Sequence, residues 1–127
     1  MSEGFVYNAE SYSPLALAWL GDAVFELMVR SRTAQAGNAP ADALSRAAKK
    51  HTNAAAQSAY YAALEPLLTD DERSILKRGR NAKSHARAKS ASVADYRRAT
   101  GVEALFGYLY IKGDAERIAN LCKILDI

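Results

Sequence analysis

Residues Leu15 to Val29 read L-A-L-A-W-L-G-D-A-V-F-E-L-M-V, an apolar run broken by a lone aspartate, Asp22, with Glu26 one turn later. Ser13-Pro14 places a capping residue and then a proline ahead of it, which predicts a helix from Pro14 to about Arg32, broken by Gly37-Asn38-Ala39-Pro40. Asp22, Glu26 and Arg30 recur every fourth residue and so form one narrow polar stripe on an otherwise apolar cylinder. A second run, Val102 to Ile111 (V-E-A-L-F-G-Y-L-Y-I), is interrupted in the same way by Glu103. Both runs are too apolar to be solvated faces, so an ionised carboxylate in either costs on the order of several kcal/mol unless a cation meets it. That cation is either a metal ion or, for Asp22, a guanidinium such as Arg30 or Arg98. Ala104 and Gly107 leave a strip without side-chain bulk on the second helix, and Gly21 is the matching thin spot on the first. Helices crossing there would bring Asp22 and Glu103 to one shared cation.

Working outward, no stretch alternates apolar and polar residues as a half-buried strand does, and Ala, Leu, Lys and Arg dominate, so the chain reads as all-α. A helical stretch, kinked or divided, covers about Ala41 to Leu64, interrupted by the polar residues Thr52, Asn53 and Gln57, which would border the site. Thr69 and Glu72 form a capping box that opens a helix through about Arg78, with Gly79 as its stop or bend. Val93 to Ala99 predicts a short helix, Gly101 to Lys112 a buried one, and Asp114 caps a last helix ending near Leu125. Ser84 to Ser92 has no apolar periodicity and reads as an exposed, mobile basic loop. With 127 residues, half of them apolar, and no repeats, we expect one domain spanning 1–127.

The chain opens with no secretory leader pattern, and no uncharged run reaches the ~18 residues that a membrane span needs, so a soluble cytosolic protein is expected. The one cysteine, Cys122, reads as a small packing residue. A net charge of +3 conceals an asymmetry: Arg73 to Arg98 holds nine of the 17 lysines and arginines against one acid, Asp95. Charge gathered in one segment suits a polyanion-binding surface, with Lys77, Arg78, Arg80, Lys83, Arg87 and Lys89 as the candidate cations. His51 and His85 lack a second ligand at zinc spacing and read as surface residues. Tyr60, Tyr61, Tyr108 and Tyr110 read as core or interface aromatics; Trp19, Phe25 and Met28 belong to an interface or to the core beneath it. Glu26 is expected in a salt bridge or a cap.

W-L-G-D-A-V-F-E-L (Trp19 to Leu27) resembles the end and extension of the ribonuclease III signature, and V-E-A-L-F-G-Y-L-Y (Val102 to Tyr110) resembles that family's second acidic motif. R-G-R-N-A-K (Arg78 to Lys83) and Tyr96-Arg97-Arg98-Ala99-Thr100 continue the likeness, and the short length points to the bacterial and plastid Mini-ribonuclease III subfamily. The resemblance implies an all-α endonuclease-domain bundle, a homodimer, and magnesium-dependent cleavage of both strands of duplex RNA, with manganese as a substitute ion. It further implies ribosomal RNA precursor maturation in a bacterial cytoplasm or plastid stroma, with a ribosomal protein as a candidate presenter of the substrate. Asp22 and Glu103 match catalytic metal ligands. Larger members carry further acids where this chain has Leu15, Ala18 and Thr100, a departure shared by the short forms. The RNA would be held on its phosphates by Lys77, Arg78, Arg80, Lys83, Arg87 and Lys89, while Asn81 either donates to a phosphate or 2′-hydroxyl or caps a helix end. The alternative is a non-catalytic RNA-binding or ribosome-associated module with the same fold, against which the retention of both acids speaks.

Overall fold

A computed structural model describes residues 4–83 and 92–127. Among these described residues six α-helices follow one another: α1 (Pro14–Gln35), α2 (Ala41–Thr52), α3 (Ala54–Leu64), α4 (Asp70–Asn81), α5 (Val93–Lys112) and α6 (Ala115–Leu125), with single 3-10 turns at Ala9–Ser11 and Glu65–Leu67. There is no strand among the described residues, so the chain is all-α. Every α-helix but α2 begins where a side chain accepts an otherwise unpaired amide: Ser13 from Ala16, Asn53 from Ala56, Thr69 from Glu72, Ser92 from Asp95 and Asp114 from Arg117. Asn53 is thus the division inside the second helical stretch, and Glu72 returns its carboxylate to the Thr69 amide to complete the capping box. Gly113, at φ 76°, closes α5 in the left-handed conformation that a glycine adopts without strain.

Helix α5 is the axis of the fold. It is apolar around its circumference from Ala99 to Ile111, and α1, α3, α4 and α6 cover it. Phe25 of α1 meets Phe106 of α5 edge-to-face at 5.2 Å, with Leu17, Leu64, Leu76, Leu105 and Leu121 filling the space around them. Two crossings on this axis are made by glycine on both sides. At α1·α5, a Cβ on Gly21 would collide with the Glu103 carbonyl, and one on Gly107 with the carbonyl of Leu17. At α4·α5, a Cβ on Gly79 would come within 2.8 Å of the Ala104 Cβ and of the Gly101 Cα.

The second crossing corrects two expectations. Gly79 does not stop α4, which runs on to Asn81, and Val93–Lys112 is one continuous helix rather than a short one followed by a buried one. In both cases close approach of two backbones, not a turn, is what the glycine serves. The expected basic loop, Ser84 to Ser92, lies outside the described residues except for Ser92, which caps α5. No described helix is long and apolar enough to cross a membrane.

Candidate active site

The α1·α5 crossing places Asp22, next to Gly21, against Glu103, one turn before Gly107. Their side chains are within hydrogen-bonding reach of each other, although 81 positions separate them in the chain. Burial raises the proton affinity of Glu103, and the adjoining Asp22 carboxyl raises it further, through a hydrogen bond and through like charge; a hydrogen bond from Gln57 opposes them. The outcome is a carboxyl pushed from 4.5 to about 8. Gln57 reaches Glu103 from α3 and is itself buried to 3 % exposure, so its amide is fixed by packing. Thr52, Asn53 and Gln57 line a groove on α5 together with Asp95, Tyr96, Thr100 and Glu103. The polar interruption in the second helical stretch therefore does border the site. Asp22 opens instead onto a neighbouring hollow with Trp19, Leu20, Ala23, Glu26 and Arg30.

Asp22 is exposed, which corrects the expectation that its run is too apolar to face solvent: Leu15, Trp19 and Leu27 on the same helix are also exposed, Trp19 to 81 %. Nor does either arginine proposed as its partner reach it. Arg30 pairs with Glu26 at 2.9 Å, giving Glu26 its expected salt bridge but on the surface, and Arg98 donates to Ser58 at 3.4 Å. The larger members' additional acid positions hold Leu15, Ala18 and Thr100; Ala18 is buried, and Thr100 is buried with its hydroxyl donating to the Tyr96 carbonyl at 2.9 Å. Among the described residues no group of three or more His, Cys, Asp or Glu side chains converges on one point. The site is a pair of carboxylates with one amide behind it.

Residues 15–114 match the family profile of the ribonuclease III domain. The chain is similar to the Mini-ribonuclease 3 of Symbiobacterium thermophilum, 45 % identical over 114 residues that cover 90 % of this chain and 88 % of that one. It is likewise 41 % identical over 118 residues to the Mini-ribonuclease 3 of Staphylococcus aureus, covering 91 % and 88 %. The chain belongs to the ribonuclease III family, in its short Mini-ribonuclease 3 form. It is an endoribonuclease. A crystal structure of a protein from Fusobacterium nucleatum is similar throughout, with a TM-score of 0.82 and 34 % identity over 93 % of this chain and 94 % of that one.

Elsewhere in this Mini-ribonuclease 3 the basic run separates into parts. Arg73 is structural: it pairs with Asp70 at 3.2 Å and donates to the carbonyls of Glu65 and Leu68. Lys77, Arg78, Asn81 and Lys83 are exposed at the end of α4, and Arg78 touches the Glu10 carbonyl at 3.4 Å. Asn81 accepts from Arg80 at 3.1 Å, and Arg80 lies half-buried with its guanidinium 5.8 Å from the Tyr61 ring centre. Arg87, Lys89 and His85 lie outside the described residues. His51 is not a free surface residue but half-buried, its Nδ1 2.6 Å from the Tyr60 hydroxyl. Tyr61 and Tyr108 are core, Tyr60 and Tyr110 pack against it, and Phe25 is core while Trp19 is not.

Proposed function

We propose that this Mini-ribonuclease 3 is a magnesium-dependent endonuclease of double-stranded RNA whose metal-binding and catalytic residues are Asp22 and Glu103. One observation carries the reading: two acids from remote parts of the chain meet at a glycine crossing, with no cationic side chain among the described residues paired to either, so that Glu103 is pushed to about 8. Like charges brought into contact are destabilising unless a cation joins them, and sites that perturb carboxylates in this way are sites of function more often than of structure.

The residues fit the ion. The donors are all oxygen, which suits a hard cation, and magnesium keeps several waters, so two protein carboxylates plus phosphate oxygens complete its shell. When bound, the ion supplies a polarised phosphodiester and an acidified water. Asp22 and Glu103 would hold it from two helices, with the buried Gln57 of α3 beside Glu103. The groove lined by Thr52, Asn53 and Tyr96 gives the reacting phosphate access on the Glu103 side. Cleavage leaves 5′-phosphate and 3′-hydroxyl ends.

Duplex cleavage calls for one site per strand, and a two-fold homodimer provides that pair. The exposed Leu15, Trp19 and Leu27 on α1, the helix that carries Asp22, support such a contact, because an apolar strip of this kind rarely stays bare. The exposed Lys77, Arg78 and Lys83, with Asn81, support backbone recognition of the RNA. Ribosomal RNA precursors, presented by a ribosomal protein in the bacterial cytoplasm or plastid stroma, are the substrate class that the family membership suggests.

The test is cleavage of an end-labelled duplex RNA with magnesium and with excess chelator. Wild-type cutting that requires the ion, lost in both Asp22→Asn and Glu103→Gln, supports the reading. Cutting that persists in either variant at the wild-type rate, or in chelator, overturns it.

A further inference from the structure

The second glycine crossing carries charge of the opposite sign. Arg80 follows Gly79 on α4, and Arg98 lies three residues before Gly101 on α5, inside the Tyr96-Arg97-Arg98-Ala99-Thr100 motif whose Tyr96 and Thr100 line the carboxylate groove but whose arginines do not. Arg30, Arg32, Arg46, Arg73 and Arg117 each hold a carboxylate within 4 Å; among the described residues Arg78, Arg80, Arg97 and Arg98 hold none, and Arg80 and Arg98 are the two of these that contact α3. Both are instead docked on α3. The Arg80 guanidinium lies over the Tyr61 ring, and Arg98 donates to the Ser58 hydroxyl at 3.4 Å. Ser58 and Tyr61, three residues apart on one helix face, are exposed to only 7 % and 4 %. They form a rigid floor.

That floor contains an unsatisfied group. The Tyr61 hydroxyl is buried and lacks a partner of good hydrogen-bond geometry among the described residues, the Arg80 guanidinium being the donor that acts on it. A guanidinium has donors only, so Arg80 leaves the hydroxyl proton without an acceptor. Glu65, at the start of the 3-10 turn that follows α3, acts on Tyr61 through its charge but pairs with neither arginine. Two unpaired guanidiniums above an orphaned hydroxyl form a receptor for a tetrahedral oxyanion, the group that the arginine fork suits best.

We infer that Arg80 and Arg98, seated on Tyr61 and Ser58, clamp one backbone phosphate of the duplex RNA at a position distinct from the two carboxylates. The inference rests on duplex RNA being the substrate. Ser58 directly follows Gln57, the residue that contacts Glu103, so α3 joins the clamp to the catalytic groove in one rigid element. A phosphate held here fixes where the same duplex lies over Asp22 and Glu103. Arg80 and Arg98 are accordingly positioning residues.

Binding of a blunt duplex RNA by the full chain, in the Glu103→Gln background to prevent cutting, is to be measured across a salt series. Arg98→Ala and Arg80→Ala are each expected to weaken binding roughly tenfold and to make the log Kd against log salt slope shallower by about one. The double variant should lose little more than either single one, because one phosphate is released by any of the three changes. Arg98→Lys keeps the charge but not the fork, and should recover only part of the loss. A methylphosphonate scan of the RNA should find one position that weakens wild-type binding and adds nothing to Arg98→Ala. This measurement stands even if Arg80→Ala disturbs Tyr61 packing, since Arg98 is exposed and its variant should keep the wild-type melting temperature.

Unchanged affinity in Arg98→Ala, additive losses with the slope falling by two, or no position in the scan that is silent in that variant would each overturn the clamp while leaving the substrate intact. Absence of duplex binding and cleavage by the wild-type chain would instead overturn the substrate reading itself.

Discussion

Glu72 and Glu103 are both acids taken out of water, and they meet opposite fates. Glu72, at 6 % exposure on α4, has burial pushing its carboxyl up, but hydrogen bonds from the Arg117 guanidinium and the Thr69 backbone, together with the charge of Arg117, outweigh that and leave it below the usual carboxylate range. Its oxygens receive two bonds from Arg117 at 2.8 Å, and one of them also accepts from the Thr69 amide at 2.9 Å. Glu103 has a carboxylate for a neighbour and is raised to about 8. Glu72 arrives with its counterion built in; on the proposed reading, what Glu103 lacks is what a metal ion would supply.

The largest expected effect breaks this contrast at its functional end. Asp22→Asn and Glu103→Gln should each lower cleavage by about a thousandfold or more, on the order of 4 kcal/mol of barrier, while leaving the fold intact by circular dichroism. At the structural end, Glu72→Ala should leave the catalytic rate of the folded fraction unchanged and cost about 3 kcal/mol in urea unfolding, because Arg117 is then half-buried without its partner. If Glu103→Gln destabilised the metal-free protein as much as Glu72→Ala does, the distinction between the two acids would be lost.

A smaller effect tests the device that creates the unpaired site. Gly21→Ala sets a Cβ against the backbone carbonyl of Glu103, which cannot rotate away, and should cost about 1–3 kcal/mol despite the better helix propensity of alanine. Cleavage by its folded fraction should fall as well, since the carboxylates are pushed apart.

The smallest effect is a pH dependence with opposite signs at the two acids. Glu103 holds its proton in the folded metal-free protein up to about 8 but releases it near 4.5 when unfolded, so its contribution to stability falls as pH rises between those values. Glu72 is held low in the folded state, so its contribution is present above the unfolded value and is lost as pH falls through and below it. Thermal melts in chelator should therefore show stability declining from pH 5 to 8 in wild type, and less in Glu103→Gln. Isothermal titration should show magnesium affinity rising over the same range, because the ion displaces that proton.

Much of the architecture was legible in the chain because its signals are local. Ser13, Thr69 with Glu72, and Asp114 each cap the helix they were expected to open, and the alternation needed for a strand is missing. The Gly21 and Gly107 pairing was legible too, since both glycines sit beside an acid in an apolar run. Gly79 and Gly101 misled, because a glycine near a helix end reads as a stop, and nothing local says that the backbone of another helix is approaching. Exposure of Asp22 was equally hidden: an apolar run looks buried whether or not its outer face has a partner in the same chain.

Sequence alone determined the all-α class, most helix starts and the family, and it singled out the two acids as candidates, since capping chemistry, periodicity, motifs and a charge set in an apolar run are all carried by neighbours along the chain. Tertiary structure decided which acid lacks a counterion. Glu26, Glu72 and Glu103 are alike as letters: Glu26 finds Arg30 one turn on along its own helix, but only the packing of the helices gives Glu72 a guanidinium and Glu103 an aspartate. Electrostatic energy depends on distance through space, which the chain fixes only once it has folded.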